Sequence, residues 1–549
     1  MSFASLKFNP WSAGTLVLSI ILMFPILCVI YFAFESSGEI WRHLVSTSLP
    51  IYVRNTITLM CGVGVLVFVL GVGVAWLITM CNFPGKTFFE WLLIFPLAFP
   101  AYVIAYAYTD LLEYAGPVQA LLRDFFNWTN SKDYWFPEIR SMAGAILIMS
   151  FVLYPYVYLM ARTAILEMSV KTIDVHRVMG GTPRQTFLQV IFPAARPAVA
   201  VGVSLALMET MNDFGTVEYF AVSTMTVGLV DVWLGMGSLA GGAQIAMVML
   251  FFVMALILVE RIGRLNQKLY QQPSSRFQEL PCYELTRCKA WLASIFCFIP
   301  ILFGFIIPLL VLLRLAQIYF HRSWSPEFFG LIANSFLLAS CAAFLVVTLS
   351  LFLAYGKRLS ESPLLVFLSK LCKLGYAVPG VVLAIGVMVP LAAADNLIDL
   401  WARTQFGFST GLLLSGSVFA VIFAYVVRFL ILGLGQIDNS LAKVSPSMDM
   451  AARTLGSSPL RVLLKFHMPV LKGGVFVGAL LVFVDCMKEL PATLILRPFN
   501  FETLATHVYL FASDEMLGEA ALGSITIVMV GLIPVIILSS MIKRSRKLL

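Results

Sequence analysis

Long uninterrupted apolar runs organise this chain. Those of about 20 residues or more centre near residues 24, 67, 102, 152, 208 and 253, and again near 305, 345, 381, 422, 483 and 531. A helix of that length crosses the hydrocarbon layer of a bilayer, roughly 30 Å. The runs are continuous and do not alternate every second residue, which predicts helices over a β-barrel. The expected fold is an all-α integral membrane protein with about twelve transmembrane helices. The run over 14–34 has no basic start and no small-residue cleavage site, so it is expected to be a retained span.

The pattern is written twice. Arg177-Val178-Met179-Gly180-Gly181-Thr182-Pro183, followed by Phe192-Pro193, returns as Arg453-Thr454-Leu455-Gly456-Ser457-Ser458-Pro459, followed by Met468-Pro469. Earlier landmarks repeat as well: Asn55-Thr56 with Asn334-Ser335, Ala75-Trp76 with Ala354-Tyr355, Pro84 with Pro363 and Pro100 with Pro379. A tandem duplication with six spans per copy follows. The expected organisation is a first half over 1–264, a linker over 265–290 and a second half over 291–549, each half forming a similar bundle.

Loop charge sets the expected orientation. The stretch 261–289 carries Arg261, Arg264, Lys268, Arg276, Arg287 and Lys289, and the tail carries Lys543, Arg544, Arg546 and Lys547. Loops 214–240 and 498–520 hold no Lys or Arg, but contain Glu218, Asp231, Glu502, Asp514, Glu515 and Glu519. The basic segments are expected in the cytoplasm, together with both termini, the linker and both copies of the repeated motif.

Composition agrees: 60% of the residues are hydrophobic, 12% are charged, and mean hydropathy is +0.92. No soluble fold hides that much apolar surface. The net charge of +8 is the charge of the inner loops and gives no support for nucleic-acid binding. Nine cysteines lie scattered, and Cys282 and Cys288 are spaced wrongly for zinc.

The repeated motif lies between the fourth and fifth run of each half. Gly180 and Gly456 suit a helix stop, while Pro183 and Pro459 suit the first turn of a following helix. A helix-turn-helix outside the bilayer, held by spans on both sides, is a docking surface able to transmit a push; the plain alternative is a turn that only reconnects two spans. Asp174-Val175-His176, Arg177, Gly180, Pro183 and Phe192-Pro193 resemble the EAA loop of binding-protein-dependent ABC importer permeases. Met450-Ala451-Ala452, Arg453, Gly456, Pro459 and Met468-Pro469 resemble it again. Both copies depart from the family pattern, with Asp174 in place of Glu and Met450 in place of any acid. The resemblance implies coupling helices that insert into two cytoplasmic ATPase subunits. ATP would bind those partners, with no cofactor held tightly and no catalysis in this chain.

The run Met208-Glu209-Thr210-Met211-Asn212-Asp213-Phe214-Gly215-Thr216, with Lys488-Glu489-Leu490-Pro491-Ala492-Thr493-Leu494 and the segment 497–506, resembles the ferric-iron uptake permeases. That resemblance implies an inner-membrane subunit served by a periplasmic iron-binding protein. Permeases for thiamine, phosphonate or another small solute share the fused architecture. An integral membrane enzyme and an ion-gradient transporter are alternatives of other classes, and co-purification with an ATPase separates them from an importer.

The residues offer their own argument for a cation. Glu209 and Asp213 lie four apart on one helical face, and Asp485 and Glu489 occupy the corresponding positions. Thirteen residues of helix from Arg196 or Lys472 rise about 20 Å, which places Glu209 and Asp485 inside the bilayer. Gly215 and Pro491 then interrupt both helices. Buried acids of this kind mark pathways, and four of them would give transient oxygen contacts to Fe(III). The structural alternative has Lys488 neutralising one acid and others capping helix ends.

Weaker signals point elsewhere. Gly85-Lys86-Thr87 ends like a phosphate loop, but Met80 stands where that motif needs Gly and no strand is expected before it. His43, His176, His321, His467 and His507 fall in different segments, which favours packing or surface roles over a metal or catalytic set. The 24 Met residues suit plastic packing, and Gly71 with Gly73 suits close helix packing.

Overall fold

The computed structural model describes residues 10–547 apart from 167, 169, 266–281, 361, 443 and 455. Most of the predicted linker is therefore outside the described residues. Its last part is not a loop throughout, since a helix begins at Arg287.

Among the described residues eleven helices are long and apolar enough to cross a membrane, or up to twelve if one bent pair counts as a span. The bent pair replaces the straight third span expected near residue 102: Lys86–Ala98 and Ala101–Phe126 meet at 93°. Proline is the cause. Phe99 precedes Pro100 and is extended, with φ −83° and ψ 132°, which ends the first segment. Pro379 acts alike in the second half, where it stands before the helix Gly380–Phe406 and shifts the span toward the C-terminus of the apolar run. Among the described residues the strand content is one two-residue parallel bridge, Cys81–Asn82 with Tyr283–Glu284. That short bridge stands before Gly85, a position where no strand was expected.

Two compact units emerge, and they do not follow the two halves of the repeat. One comprises Met1–Trp41, Leu229–Val248 and Ser325–His507; the other comprises Arg42–Gly228, Met249–Trp324 and Val508–Leu549. Repetition and packing thus divide the chain differently. In the first unit the helix Pro10–Ala33 lies against Pro326–Ser360 and Gly380–Phe406. In the second the helix Ile307–Ser323 lies against Leu517–Lys547. Each unit takes the opening span of the other sequence half.

The core of each unit is one trio of helices. In the second unit these are Leu49–Met80, Met142–Leu166 and Phe192–Asn212; in the first they are Pro326–Ser360, Val418–Leu441 and Met468–Lys488. Lipid is as apolar as the helix surfaces, so association depends on close packing and small residues. A Cβ on Gly71 would meet Val157 Cβ at 2.5 Å, and one on Gly202 would meet Val157 Cα at 2.7 Å. In the other trio the glycine has changed sides: a Cβ on Gly433 would meet Ser350 Oγ at 2.9 Å and Val346 Cγ1 at 2.8 Å.

Candidate functional site

The two copies of the repeated motif fold alike. Val170–Val178 is a short helix, Gly180 follows at φ +88°, and Gly181 N–H donates to His176 O at 3.0 Å. In the second copy the helix is Pro446–Thr454, Gly456 has φ +75°, and Ser457 N–H donates to Ala452 O at 3.1 Å. This six-to-one bond closing on a left-handed residue is the Schellman stop, which glycine forms without strain. Thr182 then caps the next helix through a reciprocal pair with Gln185. Pro183 and Pro459 occupy first-turn positions, and Pro193 and Pro469 open the helices Phe192–Asn212 and Met468–Lys488.

The outer surfaces of these elements carry unsupported apolar groups. Val175, Val178 and Met179 are 60%, 88% and 80% exposed. Asp174 and Ala451 are exposed, Met450 is 60% exposed and Ala452 is buried. His176 packs its ring against Gly181, Arg177 lies over the Tyr283 ring at 4.7 Å, and the Arg453 side chain is outside the described residues.

The seats beneath the two loops differ. Asp449, one residue before Met450, turns inward: Oδ2 is 2.6 Å from Arg358 Nε and Oδ1 is 2.6 Å from His467 Nε2. Arg358 also donates to Leu441 O and Val444 O, at 2.9 and 2.8 Å, and Tyr355 OH donates to Pro459 O at 2.8 Å. At the matching positions of the first copy stand Thr79, Ile173 and Ile191, all buried. The acid beside Met450, Asp449, thus serves the interior of the fold.

The four acids separate by role: Glu209 and Asp485 lie within the helices Phe192–Asn212 and Met468–Lys488, whereas Asp213 and Glu489 stand one residue past their ends in extended backbone, so neither pair shares the one helical face expected of it. Asp213 accepts from Thr216 N–H and Thr216 Oγ1, both at 2.9 Å, and so caps the short helix Gly215–Tyr219. Glu489 accepts from Ala492 N–H and Thr493 N–H at 3.0 Å each, and from Thr493 Oγ1 at 2.6 Å, which caps Pro491–Leu496. Arg428 Nη1 lies 3.4 Å from Glu489 Oε1, and both side chains are buried. Asp485 pairs with Lys488 at 2.9 Å, while half-buried Glu209 lies within electrostatic reach of Asp213. Among the described residues no group of three or more His, Cys, Asp or Glu is arranged to hold a metal.

Residues 67–270 match the family described as the binding-protein-dependent transport system inner membrane component. The chain is 24% identical over 490 residues to an Fe(3+)-transport system permease protein of Haemophilus influenzae, and the match covers 88% of each chain. Over residues 67–270 the chain carries this inner-membrane component, and along most of its length it is similar to a permease of the ABC importer class. A sulfate transport system permease protein of Synechocystis is 25% identical over 215 residues, 39% of this chain and 71% of its own. A molybdenum transport system permease protein of Escherichia coli is 24% identical over 205 residues, 36% of this chain and 86% of its own.

The repeated Asn-Thr and Asn-Ser pairs explain themselves in the structure. Asn55 Nδ2 donates to Ser223 O at 3.0 Å, and Thr56 Oγ1 accepts Met225 N–H at 3.0 Å. Asn334 Nδ2 donates to Glu502 O at 3.0 Å, and Ser335 Oγ accepts Leu504 N–H at 2.7 Å. Each pair starts a short apolar helix, Met225–Val230 or Leu504–Ser513. Arg428, which the sequence reading passed over, was visible as the single charge in the apolar run 418–434. The Arg358–Asp449–His467 cluster had no sequence signal, because its members come from three separate elements.

Proposed function

We propose that this permease carries ferric iron inward, delivered by a periplasmic iron-binding protein and driven by two cytoplasmic ATPase subunits that bind ATP. The observation that carries the cargo is the match to the Fe(3+)-transport permease along 88% of both chains, whereas the sulfate and molybdenum permeases align with about two-fifths of this one. The coupling assignment rests on the duplicated helix-turn-helix. Its exposed Val175, Val178 and Met179 form an apolar edge of the kind that seeks a partner cleft. In this reading both termini and both loops face the cytoplasm, in agreement with the charge of the loops. Glu209, Asp213, Asp485 and Glu489 border the path, with Asp213 and Glu489 holding the helix breaks in place.

An oxyanion is the second reading, favoured by the buried Arg428 guanidinium and by the sulfate and molybdenum relatives. Uptake of radiolabelled ferric iron, molybdate and sulfate by cells expressing the complete transporter decides between them. Iron uptake that excess molybdate and sulfate leave unchanged supports the ferric reading. Uptake of either oxyanion without iron uptake overturns it.

A further inference from the structure

The compact unit holding Asp213 also gathers a group of phenols. Tyr106 is 2% exposed, and its hydroxyl is buried without a hydrogen-bond partner. It interacts electrostatically with Tyr102, Tyr509, Tyr219 and Asp213. Its ring meets Tyr219 edge-on, with centroids 4.5 Å apart. Tyr509 OH donates to Glu218 Oε2. Arg140 also holds Tyr219, its Nη2 donating to the phenol oxygen at 3.3 Å.

The repeat supplies an internal control. Tyr106 corresponds to Ile385, Glu218 to Leu494, Tyr219 to Ile495 and Tyr509 to Val230, by the displacements that align Pro100 with Pro379, Gly215 with Pro491 and Thr56 with Ser335. The fold is thus built in the other copy with apolar side chains at all four places. Polar groups at membrane depth are costly, and an unpartnered buried hydroxyl adds to that cost. The oxygen cluster is thus present in one copy of the scaffold and absent from the other.

We infer that Tyr106, Tyr509 and Asp213 form a transient oxygen site for a hard trivalent cation, with Glu218 as the proton acceptor. The inference rests on the ferric-iron reading and names its contacts. Phenolate and carboxylate oxygens are hard donors suited to such an ion. When the Tyr509 oxygen coordinates the cation, its proton passes to Glu218, which already accepts that hydrogen bond; Tyr106 contributes its neutral hydroxyl oxygen. No electron is transferred. Return of the proton to Tyr509 releases the ion, as a site on a transport path requires.

Ferric citrate is the probe, and the complete transporter with its ATPase subunits is the sample. Tyr106→Phe and Tyr509→Phe each remove one oxygen and keep the ring. Wild-type complex loaded with ferric iron should show a visible phenolate-to-iron absorption band that Tyr509→Phe removes. Iron uptake should fall at least about tenfold in both variants at unchanged complex yield. Wild-type uptake in both variants overturns the site and leaves the ferric reading standing. Absence of ferric uptake in the wild type overturns both. Loss of assembly in both variants would make the phenols structural and also sink the proposal, while loss in one leaves the other to decide.

Discussion

Thr56 Oγ1 and Ser335 Oγ each accept the backbone N–H that opens a short helix, and both oxygens are buried with the donors they serve. Thr56→Val keeps the shape and removes the acceptor, which leaves Met225 N–H unsatisfied at a cost of about 1–3 kcal/mol. The thermal midpoint of the purified permease should drop, and an unchanged midpoint would show that the cap contributes nothing. The sequence marked these residues by repetition but hid their partners, which lie 168 residues away for both asparagines. Arg428 and Glu489 make a sharper case. Removing one member of a buried pair strands the other charge, typically at about 3–5 kcal/mol, whereas removing both is far milder. Arg428→Met should therefore destabilise strongly, and Arg428→Met with Glu489→Gln should recover part of the loss. A double variant no better than the single one would mean that the two charges do not balance each other.

At the scale of elements, the loops depend on backbone conformation. Gly180 and Gly456 sit at φ +88° and +75°, and a Cβ at either position would meet open space, so any penalty there comes from the backbone and the turn surface. Gly180→Asp and Gly456→Asp should each place a strained, charged residue at the proposed contact with the ATPase. Import should be abolished while membrane insertion is retained, checked by uptake and by the amount of permease in the membrane fraction. Normal transport and ATPase association in both variants would contradict the coupling assignment. The stop-and-start plan of these loops was legible because glycine at the stop and proline in the next turn are local chemistry. Their seats were not: Ile173 and Ile191 in one copy, Asp449 and His467 in the other, acquire meaning only when helices distant in sequence come together. The break at Pro100 was likewise obscured, since an apolar run shows hydrophobicity on both sides of a bend and says nothing of the bend itself.

For the whole molecule, the duplication and the membrane setting were written plainly in the runs of apolar residues. The sorting of helices into compact units was not. Pro10–Ala33 belongs by sequence to the first half and by packing to the unit built around Pro326–Ser360, a choice of neighbours that no local pattern encodes. The importer account makes one claim above the others, that ATP spent by partner subunits on the two repeated loops drives ferric iron through this chain. Its most direct test is reconstitution of the permease with its ATPase subunits and periplasmic binding protein in vesicles, with radiolabelled ferric iron on the side of the binding protein. The account predicts iron accumulation that requires ATP on the opposite side and vanishes with Gly180→Asp. Accumulation independent of ATP, or ATP-driven uptake of another solute with none of iron, would contradict it.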